Sequence, residues 1–233
     1  LAVLGHDLRA PLATISLVGD LLGRKETSPE QIVSLAERTK RSAMLMSTMV
    51  TDLLGFARVQ MGGGIPATRT MVEAAEVCKT AVADAQAMYP AASVKFVAEG
   101  DLRGEFDSIR LLQLVTNLLI NAAQHGERGM PVTLAAKGEA DAITLRVTNF
   151  GPVIPAESMQ NIFQPLVQLE PDGEHDTRPK TSLGLGLLIA QEITSANAGT
   201  SDVPSDETDG TTFTVRQQNA RSGHCGFAKD DPI

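Results

Sequence analysis

The sequence predicts an α+β protein: a helical hairpin that forms a dimeric four-helix bundle, followed by an α/β sandwich with a mixed, mainly antiparallel sheet. Three observations support this prediction. Residues 1–60 repeat apolar side chains at helical spacing, the rest of the chain alternates helical and strand patterns, and a Gly-Gly-Gly-Ile-Pro segment at 62–66 separates the two regions. Because only 3% of the 233 residues are aromatic and none is Trp, aliphatic side chains must build the core.

Composition and charge exclude several classes of protein. A net charge of −8 argues against general nucleic-acid binding, and no apolar run reaches the ~18 residues of a membrane span. Asp7 and Arg9 interrupt the first apolar stretch, so it does not resemble a signal peptide. Cys78 and Cys225 are too few for a disulfide framework and lack metal-ligand spacing. We therefore expect a cytoplasmic location, with any membrane anchor in a preceding region.

The first helix is predicted from an apolar stripe. Leu4, Leu8, Leu12, Ile15 and Leu22 recur at spacings of three, four and seven, which places them on one side of a helix.

The second helix has a clear start. Ser28 suits the N-cap, Pro29 the first helical position, and Gln31 completes a capping box. A heptad-like repeat then follows: Ile32, Leu35, Thr39, Ser42, Met46, Met49, Leu53 and Phe56. Two such helices cannot bury both stripes alone, which favours dimerisation into a four-helix bundle; an ordinary coiled-coil hairpin is the alternative.

His6 lies opposite the apolar stripe of the first helix, next to Asp7. Pro11 cannot donate a hydrogen bond to the carbonyl of Asp7, so the helix is expected to bend or loosen there. A lone exposed histidine usually has no special role, and these features alone leave that reading open.

The second region is predicted to place its helices on one face of a sheet. Helices are expected at 72–88, 107–125, 155–163 and 184–196, and strands at 94–98, 132–137, 143–148 and 211–216. Residues 138–141 connect two strands as a hairpin, and the polar residues 167–181 form a long loop.

Several polar or glycine positions in this region could bind a ligand. Asn117 and Asn121 are four residues apart and share a helix face, where amide oxygens suit Mg²⁺. Asn149 ends a strand just before a Gly-Pro turn. The glycine-rich residues 182–187 open a helix, and backbone N–H groups at such a helix start can approach phosphate. Each signal is weak by itself, because solvent-facing asparagines and Gly-x-Gly turns are common.

The combination is much more specific. In order, the chain reads His-Asp-Leu-Arg-Ala-Pro-Leu from His6, Asn-Leu-Leu-Ile-Asn-Ala from Asn117, Asn-Phe-Gly-Pro-Val-Ile-Pro from Asn149, Ile-Phe-Gln-Pro-Leu from Ile162, and Leu-Gly-Leu-Gly-Leu from Leu183. This series resembles the H, N, first glycine, F and second glycine boxes of sensor histidine kinases, over about residues 1–217.

The resemblance implies a role for each matching residue. His6 would be the phospho-acceptor, and Asp7 would orient and deprotonate its imidazole. Asn121 would bind Mg²⁺. The residues expected to contact ATP are Asn117, Asn121, His125, Asn149, Gly151, Phe163, Lys180, Gly184, Gly186 and Leu187.

The resemblance also implies the organisation of the protein. Residues 1–60 would form the dimerisation and phosphotransfer hairpin, 61–70 a linker, and 71–217 a GHKL-type catalytic ATP-binding domain, with 218–233 an unassigned tail. The activity implied is ATP-dependent autophosphorylation of His6, followed by phosphoryl transfer to an Asp of a response regulator receiver domain. The expected cofactors are ATP and Mg²⁺, the expected assembly is a homodimer, and an upstream sensory domain is expected to be missing from this chain.

Four positions depart from the family pattern, one of which is Ala10, where many relatives have Thr or Asn. Asn149 replaces the usual Asp, and Val153 and Ser182 replace usual glycines. The alternative function is therefore a degenerate, weakly ATP-binding dimeric scaffold or docking module. A GHKL ATPase or serine kinase without a phospho-histidine is a third class, against which the H box argues.

Overall fold

The computed structural model describes residues 2–23, 27–62, 68–167 and 183–219, and for residues 2–7 it describes the backbone alone. The chain begins with two long helices, α1 (Ala2–Leu22) and α2 (Pro29–Gln60). The predicted capping box is confirmed, because the Ser28 hydroxyl accepts from the Gln31 N–H at 3.3 Å and the Ser28 N–H donates to Gln31 Oε1 at 2.9 Å. Helix α1 continues through Pro11, whose side chain is buried.

The two helices pack as a hairpin along heptad positions. Leu35, Ser42 and Met49 of α2 are buried and are spaced by seven residues, as the repeat predicts. Among the residues of α1 whose side chains are described, Pro11 and Val18 are buried, whereas Leu12 of the predicted stripe is 52% exposed. The apolar surface of α1 is thus only partly covered within one chain.

The rest of the chain forms an α/β sandwich. Its elements are β1 (Thr70–Glu73), α3 (Ala74–Met88), β2 (Val94–Glu99), β3 (Arg103–Phe106), α4 (Ser108–His125), β4 (Val132–Gly138), β5 (Ala142–Asn149), α5 (Gly186–Ala196), β6 (Thr200–Asp202), β7 (Ser205–Asp206) and β8 (Gly210–Gln218). The main sheet has the order β2-β4-β5-β8-β6, and β7 also pairs with β8. Among the described strands of this sheet, β2 and β4 alone pair in parallel, so the mixed, mainly antiparallel sheet is confirmed.

The core lies between this sheet and helices α3, α4 and α5. Helix α4 buries Leu111, Leu114, Val115, Leu118 and Leu119, which recur at the i, i+3, i+4, i+7 and i+8 spacing of one helix face. From the sheet and α5 the core receives Leu134, Leu145, Val147, Ile189, Ile193, Phe213 and Val215. This packing fixes α4, which carries the candidate residues Asn117, Asn121 and His125.

Two kinds of local structure differ from the sequence prediction. Residues 156–163 form successive turns instead of a helix: the N–H groups of Ser158, Asn161 and Gln164 each donate to the carbonyl three residues earlier. The segment lies between Pro155 and Pro165, which leaves little room for a regular helix. Strands β1, β3, β6 and β7 were not predicted, because two to four residues are too few to show alternation.

Candidate functional site

Helix α4 sets the length of the candidate site. Asp107 caps it, its Oδ1 accepting from the N–H groups of Ile109 and Arg110 at 3.0 Å. Asn117 is buried and Asn121 is half-buried, while His125 ends the helix and is exposed. The eight residue steps from Asn117 to His125 span about 12 Å along the helix.

One end of the site is the contact between the end of α4 and the turn after β5. A Cβ on Gly151 would lie 2.3 Å from the backbone oxygen of His125, so the close approach requires glycine. The Glu127 N–H donates to the Phe150 carbonyl across the same contact. The structure thus brings together Gly151, His125 and the end of strand β5.

Asn149 is the last residue of β5 and lies at this same end. It pairs with Thr211 of β8 and is only 4% exposed. No residue in the described ranges forms a hydrogen bond with its side chain. An amide that is nearly buried without a partner can hydrogen-bond a ligand that has donor and acceptor groups on one edge, as adenine has.

The other end of the site is the glycine turn before α5. Gly184 has a φ of +64°, and its carbonyl accepts from the Leu166 N–H at 3.1 Å. A Cβ on Gly184 would lie 2.7 Å from the Val167 oxygen. The half-buried Phe163 lies three residues before Leu166, so the predicted F box leads directly to this turn.

Helix α5 begins beside Asn117. Asn117 Nδ2 donates to the Gly186 carbonyl at 3.2 Å, and the half-buried Leu187 follows in the first turn. Leu185, at the N-cap, makes no side-chain cap hydrogen bond, so the N-cap residue leaves the first N–H groups of α5 uncapped. An uncapped helix start next to amide side chains is suited to phosphate.

The donor set fits Mg²⁺–ATP. Among the described residues, no group of three or more His, Cys, Asp or Glu could hold a metal. Asparagine oxygens of α4 together with phosphate oxygens are a coordination that Mg²⁺ accepts. Lys180 and Ser182 lie outside the described residues.

The start of α1 packs against a cluster that includes residues of the same glycine turn. Leu8 packs against a cluster of Met49, Leu183 and Leu185, which joins both hairpin helices to the turn before α5. His6 precedes Leu8 by two residues in α1. The helix segment that carries His6 and Asp7 is thus close to the end of the site that suits phosphate.

Sequence reasoning missed Asp52. This residue of α2 is 8% exposed, and its Oδ1 accepts from Asn117 Nδ2 at 3.3 Å and from Gln113 Nε2 at 3.5 Å. Burial raises the pKa of its carboxyl to about 6, and the two amide hydrogen bonds oppose that rise. A signal was present in the sequence, because Asp52 follows Met49 by three residues and therefore lies on the apolar face of α2.

Two family models match the chain. The "His Kinase A (phospho-acceptor) domain" matches residues 1–62, and the "Histidine kinase-, DNA gyrase B-, and HSP90-like ATPase" domain matches residues 106–221. The chain belongs to the sensor histidine kinase family. The second of these domains implies ATP binding.

Relatives agree with this family membership. The chain is 30% identical over 203 residues to a bacteriophytochrome of Pseudomonas aeruginosa, covering 87% of this chain and 27% of that protein. It is 31% identical over 205 residues to the probable sensor histidine kinase TcrY of Mycobacterium tuberculosis, covering 86% of this chain and 41% of that protein. The histidine kinase core therefore spans less than half of these relatives.

Solved structures share the fold. Full-length ShkA in complex with AMPPNP is 24% identical, with a TM-score of 0.61 over 94% of this chain and 45% of that one. The histidine kinase AdeS of Acinetobacter baumannii is 19% identical, with a TM-score of 0.58 over 92% of this chain and 98% of that one. No helix within the described ranges is both long and apolar enough to cross a membrane.

Proposed function

We propose that this histidine kinase core transfers the γ-phosphoryl group of ATP to His6 and then to an Asp of a response regulator receiver domain. The packing of Leu8 against the cluster of Met49, Leu183 and Leu185 carries the proposal, because that cluster includes two residues of the glycine turn before α5 and so supports a position of the His6 segment near the phosphate end of the site. The Asn149 amide at the opposite end, which has no hydrogen-bond partner among the described residues, supports adenine binding there. ATP as donor agrees with the predicted cytoplasmic location.

The chemistry divides between positioning and proton transfer. An imidazole nitrogen of His6 attacks the γ-phosphorus in line, and a P–N bond forms as the bond from phosphorus to the bridging oxygen breaks. The ADP oxygen takes the electron pair, and Asp7 accepts the proton of the imidazole. Asn121 would hold Mg²⁺ through its amide oxygen, and the ion would supply charge neutralisation at the phosphates.

A second copy of the chain completes the proposed assembly. Leu12, Leu17 and Leu22 of α1 are 46–52% exposed, as is Ile32 of α2 at 46%. Burying this surface against another hairpin gives the predicted four-helix bundle and homodimer.

Labelling tests the proposal. The chain, incubated with γ-labelled ATP and Mg²⁺, is expected to gain a label that is lost in acid and survives base. His6→Gln should abolish the label without changing the affinity for AMPPNP, and His224→Gln serves as the matched control. A label that persists in His6→Gln would refute the assignment, and a wild-type chain that binds no nucleotide would favour the scaffold alternative.

A further inference from the structure

Asp52 is a buried acid with no cationic partner in the part of the chain that the structure describes. Its hydrogen-bond donors are two amides of α4, Gln113 and Asn117, which are one helical turn apart. Gln113 Oε1 in turn accepts from the Arg110 guanidinium at 3.0 Å. Burial of a carboxylate is costly unless its hydrogen bonds compensate, so this arrangement calls for a reason beyond packing.

The partners of Asn117 fix the orientation of its amide. Its Nδ2 donates to two oxygens, Asp52 Oδ1 at 3.3 Å and the Gly186 carbonyl at 3.2 Å. If the amide were flipped, its own oxygen would face a carboxylate and a carbonyl, which would repel it. Both N–H groups are therefore committed, and the carbonyl oxygen is the atom left to interact with a ligand.

We infer that Asp52 is a positioning residue for the nucleotide site: from the hairpin, it holds the Asn117 amide so that the amide oxygen is presented to Mg²⁺–ATP. The inference rests on the proposed function. Asp52 belongs to the hairpin and Asn117 to the ATP-binding part, so docking of the hairpin orders a residue of the nucleotide site. By linkage, bound nucleotide then stabilises the docked hairpin by the same free energy with which docking increases the affinity for nucleotide.

The apolar contacts around Asp52 support this coupling. Met49 packs with Leu183 and Leu185 one turn before it. A Cβ on Gly55, three residues after it, would lie 3.0 Å from Ile189 Cδ1, so α2 and α5 approach closely there. Asp52 lies between these contacts, where small shifts of α2 would alter its distance to Asn117.

The decisive experiment is a double-mutant cycle on the whole chain. AMPPNP binding with Mg²⁺ is measured by calorimetry for wild type, Asp52→Ala, Asn117→Ala and the double variant. Asp52→Ala is expected to weaken binding about tenfold, and to have no further effect when Asn117 is already Ala. Asp52→Asn, which keeps shape and an acceptor oxygen, should give an intermediate loss. Asp20→Ala, at an exposed acid of the same hairpin, is the control.

A second measurement does not depend on nucleotide. In ¹⁵N-labelled protein, the side-chain amide resonance of Asn117 should shift in Asp52→Ala and stay unchanged in Asp20→Ala. Unaltered or tighter AMPPNP binding by Asp52→Ala, an equal loss in both backgrounds, or an unchanged Asn117 resonance would each overturn the inference. A different result would refute the proposed function: a wild-type chain that does not bind AMPPNP and is not phosphorylated on His6.

Discussion

The Asn117 side chain joins the two parts of the molecule: its Nδ2 donates to the buried carboxylate of Asp52 on the second hairpin helix at 3.3 Å. The same nitrogen donates to the Gly186 carbonyl at the start of α5. One amide thus connects the phosphotransfer hairpin, the N-box helix and the second glycine box. Changes at Asp52 should therefore be measurable both in stability and in ligand binding.

The stability of the chain should depend on pH through Asp52. Burial raises the pKa of this carboxyl from 3.8 to about 6, so the folded state binds its proton more tightly than the unfolded state. The resulting stabilisation is complete below pH 3.8 and is lost as pH rises to about 6, a change of about 3 kcal/mol. Arg58 and Arg110 line an adjacent cleft, but neither is among the causes of the shift.

Urea unfolding at pH 4, 5, 6 and 7 checks this expectation for wild type and Asp52→Asn. The unfolding free energy of wild type relative to the variant should fall between pH 4 and 6 and then level off. A relative stability that rises with pH in that interval would contradict the direction of the pKa shift. Asp20→Asn is the exposed control.

Much of the fold was predictable because its elements are long and periodic. Helix α4 buries one regular face, and strands β4 and β5 alternate around a short hairpin, so their patterns are strong. The turns at 156–163 were wrongly predicted as a helix, because apolar spacing over eight residues does not distinguish turns from helix. The exposure of Leu12 shows a related limit: periodicity finds an apolar face but does not show what covers it.

The candidate site residues could be named from the sequence where they lie in short, recognisable motifs. The motifs at Asn117, Asn149 and Gly186 were visible in sequence, and the structure places Gly186 beside Asn117 in the middle of α4 and Asn149 at the end of β5, near the end of α4. Asp52 was not predicted, because its importance comes from a partner 65 residues away. The roles assigned to the individual site residues stay predictions.

Gly151 should be intolerant of a side chain. A Cβ there would lie 2.3 Å from the His125 backbone oxygen, and the backbone must shift to relieve it. Gly151→Ala is expected to destabilise the fold by about 1–3 kcal/mol and to weaken nucleotide binding. Gly19→Ala is the matched control, since nothing lies within 4 Å of a Cβ in that helix and alanine should stabilise by about 1 kcal/mol. Denaturant midpoints compare the two, and equal midpoints would contradict the steric argument.

The Cys78 thiol should react very slowly with alkylating reagents in the folded state. It is fully buried in α3, and burial raises the pKa of its thiol to about 12, so little reactive thiolate forms at neutral pH. In a Cys225→Ser background, iodoacetamide should modify Cys78 at least ~100-fold more slowly in buffer than in urea. Mass spectrometry follows the reaction, and similar rates in both solvents would show that α3 opens readily.

Asn121→Ala should abolish the increase in nucleotide affinity that Mg²⁺ causes. Asn121 is half-buried one turn beyond Asn117 on the same face, where its oxygen could bind a hard cation. AMPPNP affinity is measured with Mg²⁺ and with EDTA. The wild-type ratio of the two should be large and the variant ratio near one, while Gln218→Ala, at the far end of β8, retains the wild-type ratio. Full Mg²⁺-dependent binding by Asn121→Ala would rule out a role as metal ligand.

Asn149 should govern affinity for the base. Its nearly buried amide has no hydrogen-bond partner among the described residues, so Asn149→Leu is expected to abolish measurable ATP binding. Asn149→Asp should leave affinity unchanged or increase it by up to about 1–2 kcal/mol, because a charged acceptor bonds an amino group more strongly than an amide does. A carboxylate cannot donate to the guanine oxygen, whereas an amide can, so the same variant should also increase the preference for ATP over GTP.

Calorimetry with both nucleotides measures the two effects. Loss of ATP binding in Asn149→Asp would mean that adenine is recognised through the amide N–H groups, and that the family role of this position does not transfer to this chain.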